Sequence, residues 1–299
     1  MHSRFYDLFE IQLPYFCTQL FKGMNKLFSL LIAGSLSALL FSCGDNNSNP
    51  PATTGSDAAT APIPNIGLSV VKTYPHDTSS FTQGLAIYKG QLYEGTGGDA
   101  DSPVSSKNSH LLKVNLQTGK AEKSIPLDDH HFGEGITILN DTVYQLTWTE
   151  RKVFAYTLPD LKKVKEFDFN TDGWGITNNG KELIVTDGSG NLYFYNPSTF
   201  QLLHTQSVTH NGELAYNLNE LEYIDGFVYA NVWQQPFILK IDPANGLIVG
   251  KIDVSDIWQR INNRNPDEVP NGIAYDAETK KVYITGKKWP ELYEVQLGQ

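Results

Sequence analysis

Five short phrases in this chain set chemically different side chains at equivalent points before an apolar strand: Gln83-Gly84-Leu85, Glu134-Gly135-Ile136, Trp174-Gly175-Ile176, Glu220-Leu221-Glu222 and Asn271-Gly272-Ile273. A purely structural array would keep one residue type at the leading position. Amides, carboxylates and a Trp at that position instead fit a ligand site on the axis of a closed array. Three chemistries are open to such a ring. A carboxyl group can move a proton. Glu134, Asn219, Asn271 and Asp187 make an oxygen-rich set with which a hydrolase of the lactonase kind would hold Ca²⁺. Trp148, Trp174 and Trp233 offer stacking faces for a non-enzymatic binder, of sugars for instance. Plainer uses compete with all three: Trp and Phe near strand ends fill cores, Glu134 could cap a turn, and Lys287 could guard a sheet edge.

The elements that must position these residues are short strands. After Glu134 come Gly135–Leu139, the turn Asn140-Asp141, Thr142–Trp148, Lys152–Thr157 and Lys163–Asp168. Alternating strands punctuated by Asn, Asp, Gly and Pro form a four-stranded meander. Successive phrases lie about forty to fifty residues apart, the length of one such sheet. Aromatic residues at 12%, with 25 Gly and 15 Pro, suit strands and tight turns better than helices. The pattern predicts an all-β, five-bladed β-propeller. Its fifth repeat stops after three strands at Gln299, whereas Leu68–Tyr74 is a strand with no repeat of its own. The N-terminal strand is therefore expected to close the last blade, since closed β arrays avoid an open edge.

Composition narrows the partners. Asp and Glu total 33 against 23 Lys and Arg, for a net charge of −10, so nucleic acid is a poor fit. Cys17 and Cys43 are the only cysteines, which leaves the globular part without a disulfide, a thiolate metal site or a cysteine nucleophile. His130-His131 beside Asp128-Asp129 reads as solvated surface, because adjacent side chains of an extended segment point opposite ways.

The N-terminus reads as a targeting segment. Lys26 precedes an apolar run, Leu27–Phe41, that ends in Ser42-Cys43-Gly44. Leu40-Phe41-Ser42-Cys43 resembles a bacterial lipoprotein box, with Cys43 as the lipidated residue and Met24 as a plausible start. The competing reading is a single membrane-anchoring helix. The expected organisation is an upstream extension and signal peptide over 1–43, a disordered Asn/Ser/Thr/Ala/Pro tether over 44–65, and a catalytic propeller over 66–299. Contact with a membrane is expected only through the lipid anchor. An exported, monomeric lipoprotein facing the periplasm or the cell surface follows from this reading.

Phe81–Leu85, Tyr93-Glu94-Gly95-Thr96-Gly97, Phe132-Gly133-Glu134-Gly135, Gln145–Trp148, Gly173-Trp174-Gly175, Asn219–Tyr223, Ala230–Trp233, Asn271–Tyr275 and Thr285–Pro290, taken together and in order, closely resemble the plant-type and bacterial glutaminyl-peptide cyclotransferases. The resemblance spans the whole mature domain. It implies a five-bladed propeller that converts an N-terminal glutamine of a peptide or protein into pyroglutamate with loss of ammonia, and that uses no metal or other cofactor. It also implies Glu134 as general acid and base; should Glu134 not carry that role, Glu220 or Glu222 of the fourth repeat is the next candidate base. Lys287 would stabilise oxyanion charge, Phe81, Phe132, Trp148, Trp174 and Trp233 would wall the pocket, and Gln83 and Asn219 would hydrogen-bond the substrate.

The chemistry is consistent with those roles. A neutral α-amine must attack its own side-chain amide, so orientation matters more than a protein nucleophile, and one carboxyl can perform both proton transfers. The setting of Glu134 between Phe132 and Gly135 is compatible with burial that raises its pKa. One stretch departs from the family. Gly98–Leu112 is a longer, acidic loop without the usual Arg, and its Asp99 and Asp101 could bind calcium.

Overall fold

The computed structural model describes residues 61–98, 108–261 and 267–298. The signal segment with Cys43, the tether up to residue 60 and the Asp99/Asp101 loop lie outside the described residues. Among the described residues, five blade sheets and a small two-stranded sheet, Thr209–His210 with Glu213–Leu214, form the fold. Blade one comprises strands Thr82–Tyr88, Gln91–Thr96, His110–Asn115 and Lys120–Pro126. Blade two comprises Gly133–Leu139, Thr142–Thr147, Lys152–Thr157 and Lys162–Asp168. Blade three comprises Ile176–Asn178, Leu183–Val185, Asn191–Tyr195 and Leu202–Ser207. Blade four comprises Leu218–Ile224, Phe227–Val232, Phe237–Ile241 and Ile248–Asp253. Blade five comprises Pro270–Asp276, Lys281–Gly286 and Glu291–Leu297, and its fourth strand is Leu68–Pro75. That strand runs antiparallel to the last one, with Val70 opposite Val295 and Tyr74 opposite Leu292, so the expected closure is present.

Residues 61–65, the end of the expected tether, pack against the blades. Asn65–Ile66 pairs in parallel with Lys251–Ile252 as a fifth strand on blade four, the Pro64 carbonyl accepts the backbone N–H of Lys251 at 2.8 Å, and Ile63 packs against buried residues of blades three and four. Two Ile at the end of a polar segment suffice to dock it. The ordered domain thus begins upstream of residue 66.

Alternate residues of each strand point into the space between blades, and a hydrophobic cluster fills each gap. Leu146, Val153, Ile176 and Leu183 pack between blades two and three, and Tyr74, Leu85, Val114 and Leu292 pack across the closing seam. Leu85, Ile136, Ile176, Leu221 and Ile273 are all buried at one register position of their inner strands, opposite Glu94, Gln145, Val185, Ala230 and Ile284. This register corrects the fourth phrase. The residues equivalent to Gln83-Gly84-Leu85 are Asn219-Glu220-Leu221, one position earlier than the Glu-Leu-Glu spelling suggested, because the repeat is carried by the buried aliphatic residue rather than by the polar one.

Inner strands meet backbone to backbone at the axis. A Cβ on Gly84 would lie 2.3 Å from the amide nitrogen of Ile136, one on Gly135 2.7 Å from the Trp174 carbonyl, and one on Gly175 2.0 Å from the Asn219 carbonyl. No side chain fits there, which explains the glycines. In blade four the corresponding residue is Glu220, whose carboxyl accepts the backbone N–H of Leu85 at 3.2 Å and of Ile273 at 2.8 Å. Glu220 therefore ties blade four to blades one and five. Gly175→Ala is expected to lower stability by about 1–3 kcal/mol or more, because the added methyl must displace Asn219. A fall in the urea midpoint at unchanged slope would check this.

Candidate active site

The inner strands are bulged where the leading residues sit. Register shifts fall between Thr82 and Gly84, Gly133 and Ile136, Leu218 and Leu221, and Pro270 and Ile273. Each bulge re-aims a side chain out of the regular alternation. A second set comes from residues directly after the second strands. Gly97, Trp148, Trp233 and Lys287 donate their backbone N–H groups to the carbonyls of Phe81, Phe132, Asn217 and Val269, at 2.8 to 3.0 Å. One repeated backbone bond thus fixes the rim residues of four blades.

These two sets enclose a cavity of about 300 Å³ lined by Phe81, Gln83, Phe132, Glu134, Trp148, Trp174, Asn219, Trp233, Asp267 and Lys287. All nine residues singled out in the sequence for catalysis or substrate contact are among them. Asp267 was missed, since it belongs to the polar run before the fifth inner strand and to no repeated phrase. Of the oxygen set considered for Ca²⁺, Glu134 and Asn219 line the cavity, whereas Asn271 and Asp187 do not. Glu220 and Glu222, the alternative bases, are not in the lining either. Glu222 accepts the backbone N–H of Tyr275 at 2.8 Å and the Thr177 hydroxyl at 3.3 Å, a linking role like that of Glu220.

A short hydrogen-bond relay orders the polar floor. Asn271 Nδ2 donates to the Thr82 carbonyl at 3.0 Å and to Gln83 Oε1 at 3.3 Å, and Gln83 Nε2 donates to Glu134 Oε1 at 3.2 Å. Asn219 is 3% exposed, and its Oδ1 has no hydrogen-bond partner among the described residues. An orphaned buried acceptor in a cavity wall is a docking point for a ligand N–H. The aromatic wall is locked by edge contacts: Trp174 meets Trp233 at 5.9 Å and 82°, and Phe132 meets Trp148 at 5.7 Å. Gly97 and Gly188 leave the room these rings occupy, since a Cβ on either would strike Phe132 or Trp174.

Burial pushes the Glu134 carboxyl well above its ordinary range. Lys287 pulls against that shift, and the carboxylates of Glu150 and Asp172 add to it. Lys287 is the mirror case. Burial lowers its pKa to about 8, opposed by Glu134 and Asp267. Its Nζ sits 4.5 Å from the centre of the Phe81 ring, whose face favours the cation. The pocket therefore holds an acid whose pKa is raised and a lysine whose pKa is lowered, under an apolar wall.

A closed five-bladed propeller with a buried carboxyl and lysine at its axial mouth is an enzyme scaffold of a definite kind. The glutamine cyclotransferase family matches residues 44–297, and the chain belongs to that family. It is 39% identical over 237 residues to the glutaminyl-peptide cyclotransferase of Arabidopsis thaliana, a match covering 78% of this chain and 72% of the relative. The crystal structure of Myxococcus xanthus glutaminyl cyclase superposes with a TM-score of 0.74 at 31% identity, covering 79% of this chain and 99% of that one.

Lysine-selective ¹³C NMR should find Lys287 titrating near pH 8. In Glu134→Gln the midpoint should move lower, because the carboxylate that raises it is gone. An unchanged or higher midpoint would show that the two groups are not coupled.

Proposed function

We propose that this enzyme cyclises the N-terminal glutamine of peptides or proteins to pyroglutamate and releases ammonia, with Glu134 as general base and then general acid. The observation that carries this reading is the meeting of Glu134, Lys287 and the unpartnered Asn219 Oδ1 in one aromatic-walled cavity. The glutamine side chain enters curled, with its α-amine toward Glu134. The amine nitrogen bonds to the side-chain amide carbon, Glu134 accepts the proton it sheds, and the carbonyl oxygen gains negative charge. Lys287 faces that charge as a cation. Glu134 returns the proton to the amide nitrogen, the carbon–nitrogen bond breaks, and ammonia departs as the ring carbonyl re-forms.

Each wall contributes. Gln83, held by Asn271, fixes the orientation of the Glu134 carboxyl, and Asn219 Oδ1 accepts from a substrate N–H. Phe81, Phe132, Trp148, Trp174 and Trp233 exclude water and keep the short substrate folded on itself, which supplies the orientation on which an intramolecular attack depends. The raised pKa of Glu134 suits it to move a proton in both directions near neutral pH. No metal has a part in this scheme. Of the oxygen set that a Ca²⁺-dependent hydrolase would use, Asn271 and Asp187 do not line the cavity.

Outside the described residues, the apolar run and Cys43 support export and lipid anchoring of the enzyme at the periplasmic or outer cell surface. Mass spectrometry of the protein from membranes should find a diacylglyceryl group on Cys43, and a free thiol there would refute the anchor.

Glu134→Gln keeps size and hydrogen bonding but removes the proton carrier, so kcat on a Gln-initiated peptide should fall by about 10²- to 10⁴-fold while thermal unfolding stays put. Lys287→Ala should cost less, and wild-type activity should survive a strong chelator. Near-normal turnover by Glu134→Gln would remove that residue from the mechanism.

A further inference from the structure

Three carboxylates that act on Glu134 and Lys287 also bring a charge pattern to the surroundings of the cavity. They come from three different connections, and Asp267 alone is part of the lining. Glu150 Oε2 accepts the backbone N–H of Phe132 at 3.1 Å, which fixes it directly behind that part of the wall. Asp172 lies two residues before Trp174, in a turn held by the bond from Gly173 N–H to the Trp148 carbonyl at 3.1 Å. Asp267 lines the cavity itself, and its segment is pinned where Trp289 Nε1 donates to the Glu268 carbonyl at 3.1 Å. All three are half-buried. Arg151 offsets part of this charge through its 3.1 Å pair with Asp172, and the Lys287 ammonium, which shares the cavity with Asp267, offsets a further part.

A ligand must pass this rim. The unpartnered Asn219 Oδ1, 3% exposed, marks where a substrate N–H docks inside. If the glutamine occupies the cavity, as the proposed cyclisation requires, the second and third residues of the peptide leave past Asp267 and the wall segments that carry Glu150 and Asp172. An arriving α-amine, with a pKa near 8, is also mostly an ammonium at neutral pH. We propose that Glu150, Asp172 and Asp267 form a cation-selecting collar, so that N-terminal-Gln peptides with Lys or Arg at the second or third position are preferred and those with Asp or Glu there are disfavoured. This inference rests on the cyclisation reading and adds the substrate class. Charges at such a rim act on encounter and binding more than on the chemical step, and salt screens them.

Three peptides that differ only in the second residue, Gln-Lys, Gln-Glu and Gln-Ala followed by one neutral sequence, test the collar. The ratio of kcat/KM for the Lys and Glu peptides is measured within one preparation, so it does not depend on the fraction folded. At low ionic strength the Lys peptide should be favoured about tenfold, chiefly through KM, with the ratio approaching one in about 0.5 M salt. Asp267→Asn combined with Glu150→Gln should shrink the low-salt ratio severalfold. A wild-type ratio at or below one, with Gln-Ala still cyclised, overturns the collar and leaves the reaction standing. A ratio unmoved by salt or by the double substitution also overturns it. No turnover of any of the three peptides overturns the cyclisation reading and the collar with it.

Discussion

The close approach of five inner strands at the axis is the constraint from which the rest of the molecule follows. With backbone atoms of neighbouring blades where Cβ atoms would stand, Gly84, Gly135 and Gly175 have no substitute, and the residue just before each is placed at the mouth of the ring. Gln83, Glu134 and Trp174 inherit their positions from that contact. Blade four solves the same problem differently. It places a carboxyl, Glu220, where the others have no side chain, and spends its two oxygens on the amides of Leu85 and Ile273.

Burial then gives the site its chemistry. A carboxyl and an ammonium inside an apolar wall each lose hydration, and both drift toward neutrality from opposite ends of the pH scale. Their mutual attraction restrains the drift without cancelling it. The aromatic residues do more than exclude water, because their edge contacts hold Trp174, Trp233, Phe132 and Trp148 in a shape that the backbone bonds at the rim have already set.

Much of this was legible in the sequence because propellers repeat. The aliphatic residue after each glycine, the turn pairs and the orphan strand Leu68–Tyr74 led to five blades and to their closure. The nine cavity residues could be named because they stand at repeat positions or in phrases that resemble the family. What escaped lacks a repeat. The shift of blade four to Asn219-Glu220-Leu221 was masked by two Glu flanking Leu221, and alternation alone does not tell which of them faces the axis. Asp267 sits in an irregular connection, where proximity to the cavity is set by the tertiary hold of Trp289 on Glu268 rather than by a strand period. Docking of Asn65–Ile66 depends on a parallel pairing that leaves no local pattern.

That short pairing gives the domain a graded mechanical entry. The chain arrives at the edge of blade four, crosses at Gly67 to the edge of blade five, and there meets the far end of the molecule, where Gly298 donates to the Gly67 carbonyl at 2.7 Å. Tension transmitted from residues upstream of 61 is therefore met first by residues 61–66, held through the Ala61 carbonyl on Asn211, the packing of Ile63 and the Asn65–Ile66 pairing. Only once these peel away does it load the long antiparallel strand that seals the ring, with Glu134 and Lys287 on the inner side of the sheets, several strands removed from the point of pull.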